Sequence, residues 1–254
     1  LRTCGFGEGL RWGGEVILFD YDPSRRGAVA KGLLSGYQGY LQTDGYSGYL
    51  EIGAEPGITH VGCWAHARRK FDEAIKALGR GAKGKPGKAG QAMAYIRKLY
   101  LIEKELRESQ AEPETRYRVR QARAGPILQQ LRGWLEESLA TVPPKSALGM
   151  ALHYLADQWS RLIRYLDDGR LEIDNNRVEN AIRPFVIGRK GWLFSDSVRG
   201  VKASANLYSL IETAKANGLE PFAYLRHLFT VLPVAQTLKD CNRPFLPRVP
   251  CLTR

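Results

Sequence analysis

The chain has 254 residues, of which 44% are hydrophobic, so it is long enough to bury a core and has the composition of a globular protein. Its net charge of +12 favours a polyanionic partner such as nucleic acid, although a basic surface can also serve solubility alone. No apolar run approaches the length that spans a bilayer, and no signal peptide is visible. The four cysteines have no paired spacing, which argues against a disulfide scaffold and fits a reducing cytoplasm.

The first third of the chain predicts strands that alternate with helices. Residues 15–21 form a β-branched and aromatic run typical of a strand, and residues 28–34 follow as a helix. A second strand covers residues 40–43 and stops at Asp44, and a third covers residues 58–63 before a helix over residues 64–78. This alternation predicts an α/β protein with parallel strand pairing.

The middle of the chain predicts an all-helical region. Residues 79–88 are rich in Gly and Lys, which favours a flexible linker over a loop that touches DNA. From residue 91 to residue 166 the apolar positions follow helical periodicity. The three predicted stripes contain Met93, Ile96, Leu99 and Tyr100; Leu128, Leu131, Leu135 and Leu139; and Leu148, Leu152, Leu155, Trp159, Leu162, Ile163 and Leu166.

Three further helices are predicted after residue 173. The first starts near Asp174 or Asn175 and ends at Arg183, because Pro184 discourages its continuation. The second covers residues 202–217, and its predicted inward face contains Leu207, Leu210, Ile211 and Ala214. The third opens at Pro221 and runs to about residue 232.

Two acidic residues are candidates for chemistry. Asp44 stands where a strand leaves the sheet, a usual place for a catalytic ligand in α/β proteins, although an Asp-Gly turn explains it equally well. Glu179 is expected to share a helix face with Asn175 and Asn176, beside several cations. A carboxylate that holds a hard cation next to positive charge suits phosphodiester chemistry, whereas an ion pair between Glu179 and Arg183 is the simpler alternative.

Cys63 and His66 are separated by two residues, a spacing that suggests zinc. A structural zinc site needs four ligands, and no second pair stands at a matching spacing, so zinc is disfavoured.

Several segments together resemble transposases of the insertion sequence 66 family, a bacterial branch of the DDE class. The matching segments are residues 16–25, 41–46, 63–71, 174–194 and 207–215, which occur in the family's order between about residue 15 and residue 233. The resemblance implies a ribonuclease H-like core with a mixed sheet, interrupted by a large all-helical insertion. It also implies a DNA transposase that cuts and joins DNA strands with two Mg²⁺ (or Mn²⁺) ions.

The same resemblance assigns roles to individual residues. Asp44 and Glu179 would be the second and third acids of the catalytic triad and would bind metal. Cys63, His66, Asn175 and Asn176 would support the site. The residues implied to contact DNA are Arg68, Arg69, Lys70, Arg183, Arg189 and Lys190. The implied partner is double-stranded DNA, at the element's terminal repeats and at the target, bound by a homo-oligomer.

The first acid of the triad has no counterpart in this sequence. The family carries it in an Asp-Glu-Thr motif on an earlier strand, and no such motif occurs in residues 1–254. Residues 1–14 and 234–254 also look unlike the family. We therefore expect a transposase truncated at its N-terminus and impaired in catalysis, with core segments at residues 15–78 and 167–233 and the insertion at residues 79–166.

Two other functions share part of this evidence. A DNA-binding remnant without catalytic activity would use only the basic surface. A nuclease of ribonuclease H type would share the metal chemistry but would cleave RNA–DNA hybrids without preference for a terminal repeat.

Overall fold

The structure, a computed structural model, describes residues 2–5, 15–23, 27–77, 87–191 and 197–234. Its strands are β1 (Arg2–Gly5), β2 (Ile17–Asp20), β3 (Gly39–Gln42) and β4 (Ile58–Val61). Its helices are α1 (Gly27–Leu33), α2 (Leu50–Gly53), α3 (Trp64–Ala77), α4 (Lys88–Glu108), α5 (Pro113–Val119), α6 (Gly125–Thr141), α7 (Ala147–Leu162), α8 (Asn176–Gly191), α9 (Val198–Ala216) and α10 (Pro221–Val231). The described part of the chain is thus mostly helical, with two small sheets of two strands each.

The chain divides into two compact units. The terminal unit combines Leu1–Arg25 with Asn176–Arg254, and the central unit is Arg26–Asn175. None of the described helices is both long enough and apolar enough to cross a membrane.

The sheet of the central unit is a parallel pair. β3 runs beside β4 with Gly39 opposite Ile58 and Gln42 opposite Val61. The Thr43 N–H donates to the Val61 carbonyl at 3.0 Å and extends the pairing by one residue. The predicted parallel pairing is therefore confirmed for these two strands. Their carboxyl ends lie side by side, with Asp44 following one and Cys63 following the other.

Helices α3, α4, α6 and α7 build the core of the central unit. Each presents one apolar face, and these faces meet around fully buried side chains such as Trp64, Leu99, Leu131 and Leu152. Every residue of the three predicted stripes is either buried in this cluster or packed against it. The prediction of a helical middle region with these inward faces is confirmed, and a turn with Pro143 and Pro144 separates α6 from α7 as expected.

A buried ion pair holds the loop that follows α7. Arg120, fully buried in a π-helical turn between α5 and α6, donates to both carboxylate oxygens of Glu103 at 2.8 and 2.7 Å. Its remaining N–H groups donate to the carbonyls of Tyr165, Asp168 and Leu171 at 2.8 to 3.0 Å. A buried charge is tolerated only when it is paired and hydrogen-bonded. This arginine therefore fixes the loop through hydrogen bonds to three of its carbonyl groups.

The terminal unit pairs β2 with β1 along one edge and with helix α9 along the other. β1 and β2 are antiparallel, with Cys4 opposite Leu18. On the other edge, polar side chains one helical turn apart, on α9 and at its C-cap, bond to alternate backbone groups of the β2 segment. The pairs are Ser209 with Phe19, Thr213 with Ile17, and Asn217 with Glu15. α9 therefore occupies the place of a neighbouring strand.

Three local features of the terminal unit differ from what the sequence predicts. Helix α8 continues through Pro184 to Gly191 instead of ending at Arg183, since a proline costs one hydrogen bond but does not always terminate a helix. The predicted inward face of α9 is confirmed for Ala214, which is buried, and for Leu210, which packs against it. Leu207, however, is 43% exposed, and Ser209 and Glu212 are buried instead. A strand, β1, was not expected within the Gly-rich residues 1–14.

Some predictions fall outside the described residues. They concern most of the Gly- and Lys-rich linker at residues 79–88, the segment at residues 192–194, and the tail after residue 234. The side chains of Arg189 and Lys190 also lie outside the description, although both residues belong to helix α8.

Candidate functional site at the ends of the parallel strands

Asp44 lies two residues after β3, at the carboxyl end of the parallel pair. Its side chain is half-buried, and Oδ1 accepts a hydrogen bond from the Tyr46 N–H at 3.0 Å. Gly45 follows, and its φ of +83° favours glycine. Both interpretations of Asp44 are thus compatible with the local geometry, because the carboxylate closes an Asp-Gly turn and stands at the tip of a strand.

A buried polar pair fixes the residue before Asp44. Thr43 is buried, and its Oγ1 lies 2.8 Å from Nε2 of His60 on β4. Burial, with a smaller contribution from the Arg161 charge, lowers the pKa of His60 to about 4. The imidazole is therefore neutral at physiological pH and holds the end of β3 against β4.

Cys63 follows β4 and is tied to Asn175. The Cys63 thiol donates to the Asn175 Oδ1 at 2.9 Å, and the Asn175 backbone N–H points back to the sulfur at 3.5 Å. Burial raises the pKa of the Cys63 thiol, so it stays protonated and acts as a donor. Asn175 is thus held at the strand ends, and helix α8 begins one residue later at Asn176.

Asp174 is a second carboxylate in this region, which the sequence interpretation treated only as a possible helix cap. Its Oδ2 accepts from the Tyr100 hydroxyl at 2.7 Å. Burial, followed by this hydrogen bond to Asp174, raises the pKa of Tyr100 far above its usual value. The Arg68 guanidinium lies over the Tyr100 ring, 5.9 Å from the centroid. The only signal in the sequence was the position of Asp174 next to Asn175.

The segment at residues 172–175 lies beside the strand ends. The Gln42 side chain donates to the carbonyls of Gly62 and Glu172, at 3.1 and 2.9 Å. The Trp64 N–H donates to the Ile173 carbonyl at 3.1 Å. Residues distant in sequence are thereby fixed around the ends of β3 and β4, as a preorganised site requires.

Basic side chains follow directly in helix α3. Arg68, Arg69 and Lys70 are all exposed, and Lys70 lies 3.5 Å from Glu73 in an ion pair. His66 is half-buried in the first turn of the same helix. The central unit therefore brings Asp44, Cys63, His66 and Asn175 to the carboxyl-end side of its sheet, next to the start of a basic helix.

The remaining predicted site residues belong to the terminal unit. Glu179 is half-buried in the first turn of α8, and Asn176 and Arg183 are exposed on the same helix. Because Asp44 and Glu179 belong to different units, the meeting of these two carboxylates stays a prediction.

The metal ligands predicted from the sequence are carboxylates. Asp44 and Glu179 carry the hard oxygen ligands that Mg²⁺ prefers. No group of three or more His, Cys, Asp or Glu side chains suited to a metal ion occurs among the described residues. The donor chemistry fits a divalent ion, but the donor number does not by itself make a complete site.

Comparison with protein families places the chain among transposases. A family model described as "Transposase IS66 family" matches residues 8–203, and one described as "IS66 C-terminal element" matches residues 209–243. Since the first covers most of the chain, the protein belongs to the IS66 family of transposases. The match is wider than the predicted span of residues 15–233, because it begins earlier and includes part of the tail that looked unlike the family.

The curated relatives are uncharacterized proteins of Sinorhizobium fredii (strain NBRC 101917 / NGR234). Protein y4jD is 34% identical over 91% of this chain and 45% of its own length, and protein y4qI is 33% identical over 85% and 40%. Protein y4hP is 34% identical over 79% of this chain and 38% of its own length. The chain thus spans less than half the length of these relatives. No solved structure matches it significantly.

Proposed function

We propose that this chain is part of the catalytic region of a DNA transposase, in which metal-dependent phosphoryl transfer cuts and joins DNA strands. The observation that carries the proposal is Asp44 at the carboxyl end of a parallel strand pair, in a chain of the IS66 family. Ligands in open α/β sheets bind outside the carboxyl ends of the strands, which is where the polar cluster lies.

Asp44 and Glu179 are the proposed metal ligands, with Mg²⁺ or Mn²⁺ as the ion. A bound divalent ion would lower the pKa of an attacking hydroxyl and stabilise the leaving oxygen. The chain's own contribution is to hold Asp44 by its turn and by the Thr43–His60 pair. Cys63, His66, Asn175 and Asn176 are the proposed supporting residues.

Double-stranded DNA is the proposed partner. Arg68, Arg69 and Lys70 are exposed on α3, close behind the strand ends, and their charges suit contacts with phosphate. Arg183, Arg189 and Lys190 on α8 are the proposed contacts from the terminal unit. Binding as a homo-oligomer is part of the proposal.

The proposed core is ribonuclease H-like and interrupted by a helical insertion. In support, the central unit contains the parallel pair β3–β4, and the terminal unit contains the antiparallel pair β1–β2. We assign residues 15–78 and 167–233 to the core and residues 79–166 to the insertion. Residues 1–254 contain no Asp-Glu-Thr motif. We therefore assign only two of the three catalytic acids, Asp44 and Glu179, and expect this chain alone to cleave DNA weakly.

The test is Mg²⁺-dependent nicking of DNA that carries the ends of the corresponding insertion sequence. Asp44→Asn and Glu179→Gln should each lower the nicking rate roughly 10²-fold or more, because each removes a proposed metal ligand. The matched controls are Asp72→Asn and Glu136→Gln, which change acids on α3 and α6 and should have no effect. Equal nicking by the wild type and the Glu179→Gln protein would remove Glu179 from the chemistry.

The same assay separates the two other functions. Cleavage of RNA–DNA hybrids without preference for the element's ends would identify a ribonuclease H-type nuclease. Binding to DNA with no metal-dependent cleavage under any condition would identify a non-catalytic DNA-binding protein.

A further inference from the structure

Helix α7 is fastened to the carboxyl end of β4. The Gly62 N–H donates to the Arg161 carbonyl at 2.9 Å, and the Trp64 indole N–H donates to the Leu162 carbonyl at 2.9 Å. A Cβ at residue 62 would lie only 3.2 Å from the Leu162 side chain and backbone nitrogen. The C-terminal turn of α7 therefore has a fixed position relative to the strand ends.

One to two turns earlier, α7 faces the turn that carries Asp44. The Tyr154 hydroxyl donates to the Asp44 carbonyl at 3.4 Å. A Cβ at residue 45 would lie 2.7 Å from this hydroxyl and 3.5 Å from the Gln158 amide group. Glycine is thus favoured at residue 45 for two reasons: its φ is positive, and a Cβ would collide with the Tyr154 hydroxyl.

The Tyr154 hydroxyl is a neutral donor at any physiological pH. Burial raises the pKa of Tyr154 to about 12, and the nearby Asp44 carboxylate acts in the same direction. Its ring packs against the core of the central unit, which fixes the direction of the hydroxyl. A neutral phenol can donate to the Asp44 carbonyl without adding charge beside the carboxylate.

We propose that Tyr154 is a positioning residue for Asp44: through the Asp44 carbonyl and Gly45 it holds the turn in the geometry that the acid needs for its reaction. The inference rests on the proposed function of Asp44. It assigns a role in the site to the helical insertion, which contributes Tyr154 from α7. Tyr154 acts through the backbone and touches no reacting atom.

The test compares Tyr154→Phe with the matched control Tyr95→Phe, which removes a hydroxyl from α4 in the same core. Both variants keep the aromatic ring, so their unfolding midpoints should stay close to that of the wild type. In Tyr154→Phe the backbone amides of residues 44–48 should exchange with deuterium on the order of fivefold faster, because one hydrogen bond to this turn is lost. In Tyr95→Phe their exchange should not change.

A second measurement links the contact to the site. The Mn²⁺ concentration that half-saturates the protein, followed by the electron paramagnetic resonance of free Mn²⁺, should rise several-fold in Tyr154→Phe and more in Asp44→Asn. Unchanged exchange or unchanged Mn²⁺ affinity in Tyr154→Phe would overturn the inference. Unchanged Mn²⁺ affinity in Asp44→Asn would instead contradict the proposed function, and the exchange data would still decide whether Tyr154 holds the turn.

Discussion

The Thr43 hydroxyl illustrates how single polar side chains fix the backbone around Asp44. It bonds to His60 on the neighbouring strand and also accepts from the Gly45 N–H at 3.4 Å. One buried hydroxyl thus connects the end of β3, the adjacent strand and the turn. Because buried polar groups are costly when unpaired, loss of one partner should loosen all three.

Because His60 is neutral in the folded protein, the stability of the fold should depend on pH in the acid range. Because the folded pKa of about 4 is below the usual 6.5, the unfolded chain binds more protons between these values. Stability is fully present above pH 6.5 and should fall as the pH drops towards 4, by roughly 1–2 kcal/mol after allowance for partial exposure of the ring.

Urea unfolding at several pH values between 7 and 4 measures this effect. A His60→Gln protein should lose much of the pH dependence in this window, whereas His153→Gln, at an exposed position on α7, should keep it. Equal pH dependence in His60→Gln and the wild type would show that another group is responsible.

At the level of elements, the pairing of α9 with β2 depends on matched spacing. Alternate residues of a strand are about 6.6 Å apart, and residues one turn apart on a helix are about 6.0 Å apart. Ser209, Thr213 and Asn217 can therefore meet three successive outward-facing backbone positions of the β2 segment. The Thr213 hydroxyl both accepts from the Ile17 N–H and donates to the Ile17 carbonyl, at 2.9 and 3.1 Å.

Removing the first two contacts should destabilise the terminal unit. The double variant Ser209→Ala/Thr213→Val retains helix and volume but leaves the Phe19 N–H and both Ile17 backbone groups without these partners. We expect the free energy of unfolding to fall by roughly 2–5 kcal/mol in urea titrations. Ser204→Ala on the same helix is the control, and a loss below about 0.5 kcal/mol in the double variant would contradict the strand-like role of α9.

At the level of the whole molecule, the net charge of +12 should govern the proposed encounter with DNA. When binding releases counterions, the logarithm of the binding constant falls linearly with the logarithm of the salt concentration. The magnitude of the slope is about 0.9 per phosphate contact. If Arg68, Arg69 and Lys70 contact phosphates, replacing all three by alanine should lower the magnitude of the slope by roughly 2–3.

Fluorescence anisotropy with a labelled duplex over a range of salt concentrations gives this slope. The control replaces Arg97, Lys104 and Arg107 on α4 by alanine. These residues are also exposed, and their replacement removes the same total charge. An equal change of slope in both triple variants would show that net charge acts without a defined contact surface on α3.

Much of the architecture could be predicted from local patterns. The strand that ends before Asp44 was visible from β-forming residues followed by Gly45, and the helical middle region was visible from its apolar periodicity. Both signals are local, because the backbone preference and the buried face are written within a few turns of chain. The same reasoning failed for α8, where Pro184 is accommodated inside the helix.

The contacts that build the site could not be predicted in this way. Asp174 was interpretable only as a cap, yet it binds Tyr100, which is 74 residues away in sequence. The role of Tyr154 could not be predicted, because its position among apolar neighbours of α7 is typical of a core residue. Nothing nearby in the sequence indicates a contact with Asp44. The polar face of α9 was missed because its partner is the edge of a strand almost 200 residues earlier.

The sequence by itself determined the family, the candidate acids Asp44 and Glu179, and the order of strands and helices, since short motifs and periodicity carry this information. Only the tertiary structure decided which side chains hold Asp44 in place and which helix face is buried. These outcomes depend on hydrogen bonds between distant segments, and such bonds form only after the core has packed.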